Sequence, residues 1–132
     1  MEGREREVLY YKTVSGALPF KEWRDCISDD DIRAIIYARV ARLSGGNFGD
    51  SKPIGAGASE SRIHFGPGYR VYYGVDDNKV VLLCAGEKST QVADIARAKD
   101  YWKDYRTRER EREKREGKNV GLPKRSSGRL KD

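Results

Sequence analysis

A chain of 132 residues, 37% hydrophobic and 36% charged, has the length of one domain and enough apolar residues for one modest core, provided they are concentrated in part of the chain. Residues 1–102 carry 15 Lys/Arg and 15 Asp/Glu, whereas residues 103–132 carry 12 against 6, so the whole net charge of +6 sits in the C-terminal part. One histidine and two cysteines give no ligand set for a structural zinc ion, and neither a membrane-spanning apolar run nor the apolar stretch of a signal peptide is present. A cytoplasmic protein is expected, with Cys26 and Cys84 both as free, small, buried residues. A neutral body with a basic tail suits a polyanionic partner such as RNA, DNA or the ribosome, because cations that meet phosphates release condensed counterions.

The first regular element is expected as a strand over Val8 to Thr13, a short β-favouring run that stops at Ser15-Gly16. A short helix follows from Leu18 to Ile27, with Pro19 in its first turn and Phe20, Trp23 and Ile27 spaced along one side. Ser28 before Asp29, Asp30 and Asp31 predicts the start of a second helix: a hydroxyl cap, then negative charge at the positive end of the dipole. The three aspartates are read this way and not as a metal site, because no matching carboxylate cluster appears elsewhere in the chain. Ile32, Ile35, Ile36, Val40 and Leu43 form the buried stripe of that helix, and Gly45-Gly46 ends it. Arg33, Arg39 and Arg42 fall away from the stripe.

The segment from Gly45 to Ser59 reads as a long, mobile glycine-rich loop that matches neither a P-loop nor a dinucleotide fingerprint. Three antiparallel strands are then expected. Glu60 to Phe65 and Tyr69 to Val75 flank Gly66-Pro67-Gly68, and Asp76-Asp77-Asn78 turns into Lys79 to Gly86. The unbroken apolar run Val80 to Cys84 marks a central strand covered on both faces. A last helix starts near Ser89, with Val92, Ile95, Ala96, Trp102 and Tyr105 as its apolar face. Beyond Tyr105 the alternating charges predict a solvated extension of that helix, and the segment from Gly117 onward is expected to be disordered. The division is a domain over residues 1–105 and a charged, basic tail over 106–132. The class is α+β: a twisted antiparallel sheet of about four strands, two N-terminal helices and one C-terminal helix.

Successive side chains of a strand point to opposite faces. Ile63 and Phe65 share one face, as do Val71, Tyr73 and Val75, which leaves Arg62, His64, Arg70 and Tyr72 together on an exposed surface if the two strands pair. Lys52 and Lys88 are placed to border it. Arginines present rigid forks of donors to phosphate, tyrosine offers a ring for stacking, and histidine exchanges protons near neutral pH. Cleavage of RNA without a metal needs a base for the 2′-hydroxyl proton, cations for the charged phosphorane and an acid for the leaving oxygen. His64 or Glu87 is the candidate base, and Arg62 and Arg70 are the candidate charge stabilisers. Truncation of Arg70 is expected to remove activity and leave the fold intact.

The segment Gly45 to Ala98, above all Gly-Pro-Gly-Tyr-Arg-Val-Tyr in its strand-turn-strand setting, closely resembles the phage-associated killer-protein (HigB-like) branch of the RelE/ParE toxins. The resemblance extends from Val8 to Tyr105. It departs at Ser61, where the branch usually has an apolar residue, and at Glu87, where aspartate is commoner. The resemblance implies a RelE-like fold and the toxin of a type II toxin–antitoxin module. It further implies a metal-independent, ribosome-dependent mRNA endoribonuclease with no cofactor, whose partners are the ribosome, mRNA and a cognate antitoxin. The alternative it implies is a non-catalytic ParE-like inhibitor of DNA gyrase. By the same resemblance Arg62, His64 and Arg70 are catalytic positions and Lys52 and Lys88 contact RNA; the reading of the strands themselves adds Glu87 to the catalytic set and Tyr72 to the RNA contacts.

Overall fold

The computed structural model describes residues 5–120, with side chains over residues 5–117. The chain forms β1 (Glu7–Tyr10), α1 (Pro19–Asp25), α2 (Asp30–Ser44), β2 (Ser51–Gly55), β3 (Ala58–Ile63), β4 (Tyr69–Asp76), β5 (Lys79–Glu87), a single 3-10 turn (Lys88–Thr90) and α3 (Gln91–Val120). The fold class is α+β, with one sheet of order β1-β5-β4-β3-β2. β1 runs parallel to β5 and every other pair is antiparallel, so the sheet is mixed and has five strands where about four antiparallel ones were expected.

The extra strand is β2, inside the segment read as a loop. Its glycines act at a turn and not as mobile chain: Ala56 and Gly57 both have positive φ, at 59° and 91°, between the paired ends Gly55 and Ala58. Positive φ at both central residues is what a two-residue hairpin with the right twist requires. Pro53 is accommodated because β2 lies at the edge of the sheet, where no further strand needs its missing N–H.

One face of the sheet carries the main core. Phe20, Ile36 and Leu43 bury against Ile63, Tyr69, Val71, Tyr73, Val80, Leu82 and Ala85, with Trp23, Ile27, Ile32, Ile35 and Val40 partly buried around them. The expected helix stripes therefore hold. The cap of α2 differs by one residue: Asp29, not Ser28, accepts from the N–H groups of Asp31 and Ile32 at 2.8 and 3.1 Å. A carboxylate there also meets the helix dipole, which a hydroxyl does not. Phe65 and Val75 are exposed, not core, because Phe65 lies past the end of β3 and Val75 lies beyond the last β3 partner of β4, with β5 alone beside it. Cys26 is exposed at the end of α1, past the buried stripe, while Cys84 is buried. Burial raises the Cys84 thiol to about 12, which keeps it protonated and unreactive.

The opposite face is covered by the first turns of α3. Asp94, Ala98 and Trp102 are its buried positions, and Val92 is exposed. The expected apolar face is thus rotated, because the sheet surface it meets contains Glu60 and Tyr72 and takes polar partners from the helix. Tyr101 stacks on Tyr11 with ring centroids 4.8 Å apart. The Trp102 ring lies so close to the backbone of β4 that a Cβ at Gly74 would fall 2.5 Å from it.

The chain divides into two compact units, residues 1–102 and 103–132. In the second, helix α3 continues through residue 120, with ion pairs of its own: Arg108 with Asp104, and Arg112 with Glu109 and Glu116 at 2.7 and 2.8 Å. Such i,i+3 and i,i+4 pairs each add a few tenths of a kcal/mol to a helix, roughly. The segment expected to be disordered from Gly117 onward lies mostly at residues 121–132, outside the described residues. Among the described residues no helix is long and apolar enough to cross a membrane.

The contact at Gly74 gives a direct test. Gly74→Ala forces a methyl group into the Trp102 ring, and overpacking of this kind costs about 1–3 kcal/mol, read as a lower urea midpoint. An unchanged midpoint would mean that the ring does not rest on this strand.

Candidate functional site

The register of the sheet assembles the site before any side chain is considered. Arg62 on β3 stands directly opposite Arg70 on β4, and Glu60 opposite Tyr72. On the outer side Lys52 of β2 pairs with Glu60, and the Arg62 N–H donates to the Asp50 carbonyl at 2.9 Å. On the inner side Arg70 faces Gly86 of β5, and Tyr72 faces Cys84. Two rows therefore cross the sheet: Asp50, Arg62, Arg70, Gly86, and beside it Lys52, Glu60, Tyr72, Cys84. The bare Cα of Gly86 is used by the Asp94 carboxylate, whose Oδ2 would lie 1.9 Å from a Cβ placed there. The first row is thus two cations between two acids.

At the exposed end, Asp50 joins two functional side chains. Its Oδ1 accepts from Arg62 Nη2 at 2.9 Å, and its Oδ2 is bonded to His64 Nε2. The hydrogen bonds from Arg62 and then His64 hold the Asp50 carboxyl below its ordinary pKa. Arg62 is 35% exposed and His64 74%, so the imidazole forms the rim. From α2, Arg39 reaches the sheet, donating to Ser61 Oγ at 3.0 Å and to the Arg62 carbonyl. That arginine was expected only to point away from the helix stripe.

The inner end is buried. Glu60 is 1% exposed, and its Oε2 accepts from Tyr72 Oη at 3.1 Å and Gln91 Nε2 at 2.8 Å. Arg70, 11% exposed, approaches the same oxygen with Nε at 3.5 Å and donates from Nη1 to the Gly68 carbonyl at 2.9 Å. The Nε contact is an ion pair and not a hydrogen bond. The Nε groups of Arg62 and Arg70 are both buried without an acceptor. Burial, with Glu60 beside it, pushes the Tyr72 phenol well above its ordinary pKa.

The expectation for Tyr72 needs correction. Tyr72 shares the face of Arg62 and Arg70, but it is fully buried under the start of α3, so its ring presents no surface for a base to stack on. Alternation along a strand tells which residues share a face and not what covers it. Glu87 is corrected too. It pairs with Tyr69, which belongs to the core under α1 and α2, and it forms a capping box with Thr90, so it is not brought to the arginines. Lys52 and Lys88 are exposed. The Lys88 N–H donates to the Gly68 carbonyl at 2.9 Å, the same oxygen that fixes Arg70.

Asp50, Glu60, Gln91 and Asp94 belong to the site and were not singled out from the sequence. Glu60 was within reach, since it precedes Arg62 by two and the same alternation places both on one face. Asp50 sat in a segment without periodicity and carried no such signal. Among the described residues no three His, Cys, Asp or Glu side chains group as metal ligands.

The buried carboxylate supplies a prediction. In Tyr72→Phe the ring remains but Glu60 loses a donor in a water-excluded place, and the unsatisfied acceptor costs about 1–3 kcal/mol in a chemical unfolding curve. Full stability in that variant would show that Gln91 and Arg70 already satisfy Glu60.

The chain matches none of the known protein-family models. It is 44% identical over 87 residues to an uncharacterized protein of Haemophilus influenzae, an alignment that spans 65% of this chain and 88% of that protein. With that identity and coverage, the chain belongs to the same family as this Haemophilus influenzae protein.

Proposed function

We propose that this protein is the toxin of a type II toxin–antitoxin module, with a RelE-like fold and the activity of a metal-independent, ribosome-dependent mRNA endoribonuclease. Its place of action is the cytoplasm, its target is mRNA on the ribosome, and a cognate antitoxin holds it in check. The observation that carries this reading is the pair Arg62 and Arg70, set opposite one another across β3 and β4 on one face of the sheet, with Arg62 partly exposed beside the rim residue His64. Two guanidinium groups on one face are suited to a phosphate whose charge grows in the transition state. The likeness of Gly-Pro-Gly-Tyr-Arg-Val-Tyr to RelE/ParE toxins supports the same conclusion from the sequence.

The geometry also favours one base over the other. Arginine does not deprotonate in proteins, and Glu87 is occupied in a cap on the other side of β5. His64 shares a carboxylate with Arg62 and is the proton acceptor in this reading. Lys52 and Lys88 contact flanking phosphates from the rim. A site this shallow fixes little of a flexible message by itself, which is the work left to the ribosome. The basic excess of residues 103–132 adds sequence-independent attraction to a polyanion.

Arg62 is the better probe of the two arginines. Removing Arg70 leaves Glu60 buried without its cation, a change that costs on the order of 3–5 kcal/mol, so its truncation does not leave the fold untouched as the sequence led us to expect. On induction, the wild-type protein is expected to arrest growth and to leave cuts within translated codons, mapped by primer extension. Arg62→Ala should cut about 10²-fold more slowly while remaining folded. Growth arrest with intact transcripts and inhibited supercoiling would replace this reading with gyrase inhibition.

A further inference from the structure

We infer that Asp50 is the positioning residue of this site: by accepting from His64 Nε2, it holds the imidazole with Nδ1 outward as the atom that takes the proton from the attacking ribose 2′-hydroxyl. The inference rests on the nuclease reading above and adds to it a residue from the segment that looked like a mobile loop.

Asp50 is itself held firmly. Its carbonyl accepts from the Arg62 N–H at 2.9 Å, and the next residue is tied on both sides, its N–H to the Gly49 carbonyl at 2.9 Å and its hydroxyl to the Phe48 carbonyl at 2.6 Å. The Tyr73 hydroxyl, reaching over from β4, donates to that same Ser51 Oγ at 2.8 Å. The two carboxylate oxygens then take different partners, Arg62 on Oδ1 and His64 on Oδ2. An ionised carboxylate only accepts. The hydrogen in the contact therefore belongs to Nε2, which makes Nδ1 the acceptor atom whenever the ring is neutral. His64 lies just past the end of β3 and is 74% exposed, and among the described residues Nδ1 has no protein partner.

The chemistry balances with the groups present and water. The 2′-oxygen forms a bond to phosphorus as its proton passes to His64 Nδ1, and the bond from phosphorus to the 5′-oxygen breaks. The departing 5′-oxygen takes a proton from water, and His64 returns its own to the hydroxide left behind. The products are a 2′,3′-cyclic phosphate and a 5′-hydroxyl. Arg62 faces the phosphorane from the same carboxylate, so one side chain sets the spacing between base and charge stabiliser.

Asp50→Asn tests this with little change of shape. The amide oxygen still accepts from Arg62, but the amide NH2 now donates to Nε2, which moves the ring proton to Nδ1 and blocks the acceptor. His64 is the sole histidine, so its imidazole 15N shifts are assigned without ambiguity. The wild type should show the Nε2–H tautomer and the variant the Nδ1–H tautomer. Cleavage on programmed ribosomes should lose about 10²–10⁴-fold in kcat with the half-saturating ribosome concentration unchanged. In a His64→Gln background, Asp50→Asn should slow cleavage no further. A wild-type ring in the Nδ1–H tautomer, an undiminished kcat in the variant, or an equal loss added to His64→Gln would each overturn the inference. Wild-type protein that cuts nothing on ribosomes would remove the nuclease reading and this role with it, and the tautomer measurement distinguishes that failure from a failure of the Asp50–His64 pairing.

Discussion

Two guanidinium groups placed opposite one another on adjacent antiparallel strands repel, since cross-strand partners on one face lie within about 5.5 Å at Cβ. The register that opposes Arg62 to Arg70 is fixed by the face beneath, where Ile63, Val71 and Tyr73 are needed in the core; a slip of one residue would bring the arginines into that core. The repulsion is therefore built in, and the surroundings answer it. Asp50 takes up the outer arginine and Glu60 lies beside the inner one, while Asp94 fills the space left at Gly86 and pairs with Arg97 of its own helix. The residue that leads into β2 and a residue of β3 are thus both committed to the same pair of charges.

These acids differ in burial, which makes the two ends of the site mechanically unlike. Glu60 sits in a water-excluded contact with Tyr72 and Gln91, where losing a partner is expensive. Asp50 is partly exposed, and its bonds to Arg62 and His64 compete with water. The inner end is consequently a fixed floor, and the outer end is where side chains can exchange one partner for another. A group that handles protons belongs at the outer end. A group that only holds charge gains from the inner one, where the lower dielectric strengthens its field.

Much of this arrangement was legible in the sequence, and the parts that were not share a cause. Alternation in Arg62-Ile63 and Arg70-Val71 placed the arginines on one face, and the unbroken run Val80 to Cys84 marked β5 as an interior strand covered on both faces, though β4 and not β5 is the middle one of the five; both signals are local. β2 was missed because five residues containing Pro53 and Gly55 have no usable period, and their pairing depends on a hairpin geometry set by Ala56 and Gly57. The covering of Tyr72 was missed because α3 buries Asp94 and turns Val92 outward, contrary to an apolar count. In that helix, polar groups on the sheet chose the contact face. A pattern that assumes oil against oil cannot find it.

The choice of arginine over lysine at the two opposed positions follows from the same crowding. An ammonium group beside Asp50 or Glu60 would have its charge and its compact set of donors drawn into one ion pair. A guanidinium group has five N–H donors spread around a rigid plane. Arg70 gives Nη1 to the Gly68 carbonyl and turns Nε toward Glu60, while Arg62 gives Nη2 to Asp50. Partners that lie in different directions are thus met by different atoms of one side chain. Lysine remains suitable at the rim, at positions 52 and 88, where the side chains are exposed and long-range attraction matters more than the direction of a bond.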